Sequence, residues 1–317
     1  MYKLLFDLYG VIPPGSLNRN NIFNSLYSLT RFVIRKLQSL ILKTYAKKRK
    51  CYTDKYRVKN LIVSLTSFPK RLDTLWMTIE SLKQQTIIPE KIVLYLINEE
   101  VSFDKLPKSL VNEIDDLFEI RFRDGKLRAH GKYHFAMKDY PDSYIITVDD
   151  DMIYPYNTLE ALWSAHKKYP DSVITNNTFQ ITTENMNIKP CSQWVNIFNC
   201  DRCVNMPNLI PMGVGGALYP PYILYKDILN FDIAKKLSYL ADDLWLYTMT
   251  SLADKTVVKS KFNFLSIMPI DITNNETLTS INDGENQNDV QFKRLREYYI
   301  EEIGIDIVKS LVSTKND

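Results

Sequence analysis

Three consecutive carboxylates, Asp149, Asp150 and Asp151, interrupt the stretch "YIITVDDDMIYP" at residues 144–155. The residues before them have strand-forming character. A buried strand has no structural use for three adjacent negative charges, because repulsion and desolvation cost free energy unless a positive group compensates. Carboxylate oxygens are hard ligands suited to Mg2+ or Mn2+. Side chains alternate along a strand, so Asp149 and Asp151 are expected on one side and Asp150 on the other. Two same-side carboxylates could hold one divalent ion that bridges the phosphates of a nucleotide diphosphate and neutralises charge as that group leaves. Taken alone, the triplet reads equally well as an acidic turn capping the next helix.

The elements around the triplet favour the chemical reading. Strand patterns at 61–66, 91–97, 119–123, 144–149 and 172–177 alternate with helical patterns at 71–85, 106–118, 132–140 and 157–169. This order predicts an α/β fold, a three-layer α/β/α arrangement around a mixed sheet. Ligands in such sheets sit at the carboxyl ends of strands, which is where the triplet falls. After residue 178 the alternation fails: 179–212 reads as an irregular covering loop and "GVGGALYPP" (213–221) as a turn cluster. "ADDLWLYTMTSLA" (241–253) reads as a helix opened by acids, 273–289 as polar loop, and Gln291 to Glu302 as a charged terminal helix. The expected division is an N-terminal segment, 1–57, a central domain, 58–270, and a C-terminal extension, 271–317.

Residues 21–50 form a basic amphipathic pattern: Ile22, Leu26, Leu29, Val33, Leu37 and Leu40 recur at helical spacing, with Arg31, Arg35, Lys36 and Lys43 between them. That pattern suits either a peripheral anchor on an anionic membrane surface or a helix packed on the domain or on a second subunit. No apolar run is long enough to span a bilayer, and the N-terminus lacks the features of a signal peptide. The net charge of +3 over 317 residues gives no support for a nucleic-acid partner. Cys51, Cys191, Cys200 and Cys203 are too few for a disulfide framework at this length and read as free thiols in a reducing cytosol.

Several motifs are decoys. "FDLYGVI" (6–12) is similar to the opening of haloacid-dehalogenase-type phosphatases, but Tyr9 stands where the second aspartate is needed. Gly125 and Gly131-Lys132 are spaced by five residues rather than the four of a phosphate-binding loop, and Tyr133 replaces its Ser or Thr. No GxGxxG follows a strand, and "SLTSFPKR" contains no glycine, so a dinucleotide enzyme and a sugar nucleotidylyltransferase both lack their loops.

"LIVSLTSFPKRLDTLWMTIESLKQQTIIPEKIVLYL", followed by "YHFAMKDYPDSYIITVDDDMIYP", resembles a bacterial GT-A-type glycosyltransferase, family 2-like and of the surface-polysaccharide type, over roughly residues 58–260. The similar parts are S-L-T-S-x-P-x-R, Q-T-x-x-P, D-D-D-x-x-Y-P, G-G-A-x-Y-P-P and A-D-D-x-W. The resemblance implies a GT-A, Rossmann-like fold and a metal-dependent transfer of sugar from a nucleotide-diphosphate donor to a capsule or lipopolysaccharide glycan. A UDP-sugar donor and a free or lipid-linked glycan acceptor are favoured.

It also implies roles for individual residues. Asp149 and Asp151 match the DxD pair, with Asp149 near the ribose and Asp151 on a Mn2+ or Mg2+ ion, and Asp150 assisting. Thr66, Ser67 and Arg71 would line the nucleotide pocket, and Lys132 would neutralise phosphate. Gly215 and Gly216, within 213–221, would form a floor under the sugar. Asp242 and Asp243 match the acidic pair that supplies the general base of inverting members, with Asp243 favoured because it directly precedes Leu-Trp. Trp245 could stack on a sugar or belong to the core. The family often draws a metal-binding histidine from near the C-terminus, yet His130, His134 and His166 all lie upstream, leaving Asn288, Asp289 or water. The Q/R-x-x-R-W motif of processive synthases is absent. A retaining transferase and a non-catalytic, membrane-associated assembly factor remain as alternatives.

Overall fold

The computed structural model describes residues 2–12, 21–47, 56–184, 187–270 and 286–308. Lys48-Arg49-Lys50, Cys51 and most of the polar stretch 273–289 therefore lie outside the described residues. Two helices, α1 (Tyr2–Val11) and α2 (Asn21–Lys47), precede the alternating part. There follow β1 (Tyr56–Thr66), α3 (Leu72–Lys83), β2 (Ile87–Ile97), the single turn α4 (Lys108–Val111) and β3 (Phe118–Arg123). Next come α5 (Gly131–Asp139), β4 (Tyr144–Thr147), β5 (Met152–Ile153), α6 (Thr158–Lys168) and β6 (Ser172–Thr175).

The region 178–212 holds short strands: β7 (Thr178–Gln180), β8 (Thr183–Glu184), β9 (Asn187–Ile188), β10 (Val195–Ile197), β11 (Val204–Asn205) and β12 (Leu209–Pro211). The chain continues through β13 (Ala217–Tyr219), α7 (Phe231–Ser238), α8 (Asp242–Leu252), β14 (Thr256–Lys259), β15 (Met268–Pro269) and α9 (Gln287–Ile303).

The expected three-layer α/β architecture is present. Eight strands form the central sheet in the order β11-β14-β6-β13-β4-β1-β2-β3. The run β4-β1-β2-β3 is parallel, whereas β13 is antiparallel to both β4 and β6. Alternation along β1 explains the layering. Leu61, Val63 and Leu65 pack with Leu75, Ile79 and Leu82 of α3 and Leu159 and Leu162 of α6. Ile62 faces the other way, with Val93, Tyr95, Ile145 and the α5 residues Phe135 and Ala136. Because β1 continues to β2 on one side and to β4 on the other, a crevice opens at their carboxyl ends.

Three elements differ from expectation for local reasons. The helix expected over 106–118 shrinks to one turn. Asp115 Oδ1 accepts hydrogen bonds from the amides of Leu117 and Phe118, and buried Lys83 donates to the Glu113 carbonyl, so this backbone is committed to a turn. The irregular region contains a small antiparallel sheet, β10-β7-β12. The Gly- and Pro-dense stretch contributes β13 to the centre of the main sheet, and three residues between turn formers are too few to show a strand period.

The turn before β13 is held by β6. Asn176 Nδ2 donates to the carbonyls of Gly215 and Thr158, at 3.0 and 3.1 Å, and its amide donates to the Gly216 carbonyl at 3.1 Å. A Cβ on Gly215 would lie 2.9 Å from both Cβ and backbone N of Asn177, so backbone would have to move. The variant Gly215→Ala is expected to lower the unfolding free energy by about 1–3 kcal/mol. Urea denaturation with an unchanged slope would show it, and an unshifted midpoint would refute this tight packing.

Candidate active site

Both strand ends that flank the crevice carry polar residues. β1 runs out at Thr66 and Ser67, and a 3-10 turn, Pro69–Arg71, leads directly into α3. Beside it, Val148 donates its amide to the Ser64 carbonyl at 3.1 Å, which extends the β1–β4 pairing to the residue before the aspartates. The triplet thus leaves the sheet in register with Ser67. A cleft of about 1170 Å³ opens here, lined among others by Thr66, Ser67, Arg71, Lys132, Asp149, Asp150, Asp151, Asp242 and Asp243.

Asp150 is buried, and it lies with Asp151 in the turn after β4, so the strand alternation expected of the triplet does not apply: the two carboxylates meet at one Arg71 nitrogen. Asp150 accepts from Ser67 Oγ at 2.5 Å and from Arg71 Nη1, and its carbonyl accepts from Thr78 Oγ1 at 2.9 Å. Ser67 and Arg71 are therefore committed to anchoring Asp150. Arg71 also reaches Asp151 Oδ2 at 3.1 Å. Thr66 lines the cleft, but its hydroxyl donates to the Tyr95 carbonyl at 2.9 Å.

Lys132, in the first turn of α5, is buried and joins the triplet to the acidic pair. Its Nζ donates to Asp149 Oδ1 at 2.7 Å and lies 3.0 Å from Asp242 Oδ2. Asp242 and Asp243 open α8, where the helix dipole favours negative charge. Asp243 Oδ1 accepts the Gly213 amide at 3.0 Å. A Cβ on Gly213 would approach Lys132 Nζ to 2.6 Å, so glycine is what permits this close assembly.

Of the five clustered carboxylates, four thus pair directly with Arg71 or Lys132. Burial works against both cations, but the surrounding aspartates hold each above its ordinary pKa. Burial would raise Asp242, yet Lys132 and His130 hold it below the usual carboxylate range. Asp151 and Asp243 move upward, Asp243 far enough to keep its proton at neutral pH. Burial and the neighbouring Asp149 push Asp151 up to about 6, and burial beside Asp242 pushes Asp243 up to about 8.

Other expected residues fall differently. Gly215 packs on Asn177, and Gly216, at φ +86°, faces Leu162 and Val148, so of these three glycines it is Gly213 that meets the charged cluster. Trp245 is fully buried, with Nε1 donating to the Ile228 carbonyl, and belongs to the core. Asn288 and Asp289 line the cleft, but Asp289 Oδ1 accepts the Cys191 amide at 2.7 Å. His130 is buried between the Ser238 carbonyl and the Tyr133 hydroxyl, and His166 lies against the rings of Tyr144 and Trp163.

Sequence reasoning gave no role to Tyr154, whose hydroxyl accepts the Asp149 amide at 2.8 Å and fixes the turn of the triplet. The tyrosine of the D-D-D-x-x-Y-P stretch was the signal. Nor did it find the apolar end of the cleft, formed by Phe179, Trp194, Ile210, Met212 and Leu240. Those residues come from separate elements with no shared motif.

Among the described residues, no group of three or more His, Cys, Asp or Glu side chains is arranged to hold a metal ion. The donor set nevertheless fits a hard divalent cation of the Mg2+ type, which commonly takes one or two carboxylates plus substrate phosphates and water. Asp149 and Asp151 line the cleft and stay partly exposed, each paired with one cation, Lys132 and Arg71 respectively.

The sequence model described as glycosyl transferase family 2 matches residues 66–251, from the end of β1 into α8. No curated protein matches the chain. Similar solved structures include an apo UDP-glucose pyrophosphorylase at 10% identity, covering 78% of this chain and 100% of that one, with a TM-score of 0.39. A UTP-bound UGPase from Acinetobacter baumannii is 10% identical over 77% and 94% of the two chains, with a TM-score of 0.41. A 4-diphosphocytidyl-2C-methyl-D-erythritol synthase from Anaerococcus prevotii is 15% identical over 73% and 98%, with a TM-score of 0.42.

The raised Asp243 has a consequence for stability. A carboxyl that keeps its proton when folded but releases it when unfolded makes stability fall as pH rises toward its folded pKa. The buried histidines, whose pKa values burial lowers from 6.5, act oppositely but only up to their ordinary range. Between 6.5 and about 8, the melting temperature of the metal-free protein should therefore decline, and Asp243→Asn should flatten that decline. A thermal-melt series in which the variant keeps the wild-type slope would refute the assignment.

Proposed function

The chain belongs to glycosyl transferase family 2, and we propose that it transfers a sugar from a nucleotide-diphosphate donor, with a UDP-sugar favoured, to a free or lipid-linked glycan, with inversion at the anomeric carbon. The observation that carries this reading is the connected cluster itself. A DxD-type pair, Asp149 and Asp151, and an acidic pair, Asp242 and Asp243, line one cleft and are joined through Lys132 at 2.7 and 3.0 Å.

Asp149 and Asp151 would hold Mn2+ or Mg2+ together with the donor diphosphate. Such an ion, when bound, supplies positive charge to the departing diphosphate. Thr66 and the Ser67–Arg71–Asp150 unit shape the nucleotide end of the cleft, and Arg71 and Lys132 add fixed positive charge beside it. Asp243 would act as general base in its ionised form, whose share grows as pH rises toward its raised pKa of about 8. Its Oδ1 is held by the Gly213 amide, leaving Oδ2 to take the acceptor hydroxyl proton as that oxygen bonds to the anomeric carbon and the bond to phosphate breaks. Asp242 stays ionised against Lys132 and keeps the lysine charged. Synthesis of a bacterial surface polysaccharide is the setting suggested by the motif resemblance.

Calorimetry with UDP-sugars and Mn2+ tests the donor site. Asp151→Ala should abolish metal-dependent donor binding, and wild-type affinity in that variant would overturn the metal-bridge role. Asp243→Asn should bind donor normally while kcat falls by about 10²–10⁴-fold. Anomeric NMR of the product should show inversion.

A further inference from the structure

The helices α1 and α2 present a surface that the catalytic reading does not use. They pack together and on the domain through Tyr2, Leu5, Phe6, Tyr9, Ile34 and Leu42. Arg31 fastens them, donating to the carbonyls of Tyr9 and Ile12 at 2.9 and 2.6 Å while its guanidinium lies 3.6 Å from the Tyr9 ring centre. The outward face of α2 is nonetheless apolar: Leu26, Leu29, Phe32, Val33, Leu37 and Leu40 are each 43–61% exposed. This is the very stripe whose helical spacing stands out in the sequence, and it is not the side that packs on the domain. Leu4, Leu8 and Val11 of α1 are also exposed. Among the described residues no helix is long and apolar enough to cross a membrane.

Charge identifies what the face fits. Lys36 and Lys43 are exposed beside the stripe. Residues 21–50 contain eight Lys or Arg and no Asp or Glu, whereas the whole chain is only +3, so the rest of the chain is net acidic. The exposed apolar stripe of α2, whose charged residues are all cations, matches the interface of an anionic bilayer, where leucines enter the acyl boundary and ammonium groups meet phosphate headgroups; Asp7 of α1 is the exposed acid on the described part of this pad. A second copy would bring like charges together.

The pad also adjoins the cleft. Met268 and Ile270 pack in the same cluster as α1 and α2, while Met152, Pro269 and Ile270 line the cleft. The Ile270 amide donates to the Asp151 carbonyl at 2.8 Å. We propose that the exposed face of α1 and α2 docks this protein on an anionic lipid surface, with the cleft rim opening beside the bilayer. The docking stands on surface chemistry and does not depend on which sugar is transferred.

Co-sedimentation of the full chain with phosphatidylcholine vesicles, with and without phosphatidylglycerol, tests it. Binding is expected with phosphatidylglycerol and should weaken as salt rises. The double variant Leu29→Glu/Leu37→Glu, and separately Lys36→Glu/Lys43→Glu, should each reduce partitioning about tenfold or more. Both variants should keep the wild-type melting temperature and calorimetric UDP–Mn2+ binding, which reads the donor site independently. Binding that ignores phosphatidylglycerol, or variants that bind as wild type does, would overturn the proposal. So would a dimer by light scattering that Leu29→Glu/Leu37→Glu dissociates, since the face would then belong to a second copy.

Discussion

The constraint on which the site depends is electrostatic. Asp149, Asp150, Asp151, Asp242 and Asp243 converge on one cleft, where Arg71 and Lys132 form direct ion pairs with four of them and Lys70 and Arg128 also line the walls. Buried like charges cannot all ionise without compensation. The cluster divides the problem: Arg71 pairs with Asp150 and Asp151, Lys132 bridges Asp149 and Asp242, and burial beside Asp242 raises Asp243 to about 8, so that it keeps its proton at neutral pH.

The fold supplies the convergence. Parallel strands β1 and β4 end side by side, so Ser67 and the aspartate triplet, 83 residues apart for the Ser67–Asp150 bond, meet at one sheet edge. The acidic pair arrives from α8, and Asp243 meets the turn at Gly213, where an added Cβ would push the Lys132 ammonium from its place. That turn is pinned from beneath by Asn176 at the end of β6. The antiparallel insertion of β13 between β4 and β6 is therefore what carries the Gly213 amide to Asp243.

The alternating core was largely legible in the sequence because its strands and helices are long enough to show their periods. β1, α3, β2, α5 and α6 lie close to their expected positions. The four-residue β4 and β6 were legible from their apolar runs, whereas β13 and β14, of three and four residues outside the alternating part, were not, because their pairing is decided by distant strands. The helix expected at 106–118 failed because Asp115 and Lys83 claim its backbone through contacts that no helical pattern reveals.

The sequence by itself determined the α/β class, the placement of the triplet at a strand end and the amphipathic character of residues 21–47, because each rests on local periodicity or on motif spacing. Only the tertiary structure decided which carboxylate each cation serves, that Trp245 is core, that Gly213 meets the charged cluster, and that the apolar stripe of α2 faces outward. These outcomes depend on burial and on contacts between residues far apart in the chain. Pairwise distance and desolvation, which set ionisation and docking alike, exist only once the chain has folded.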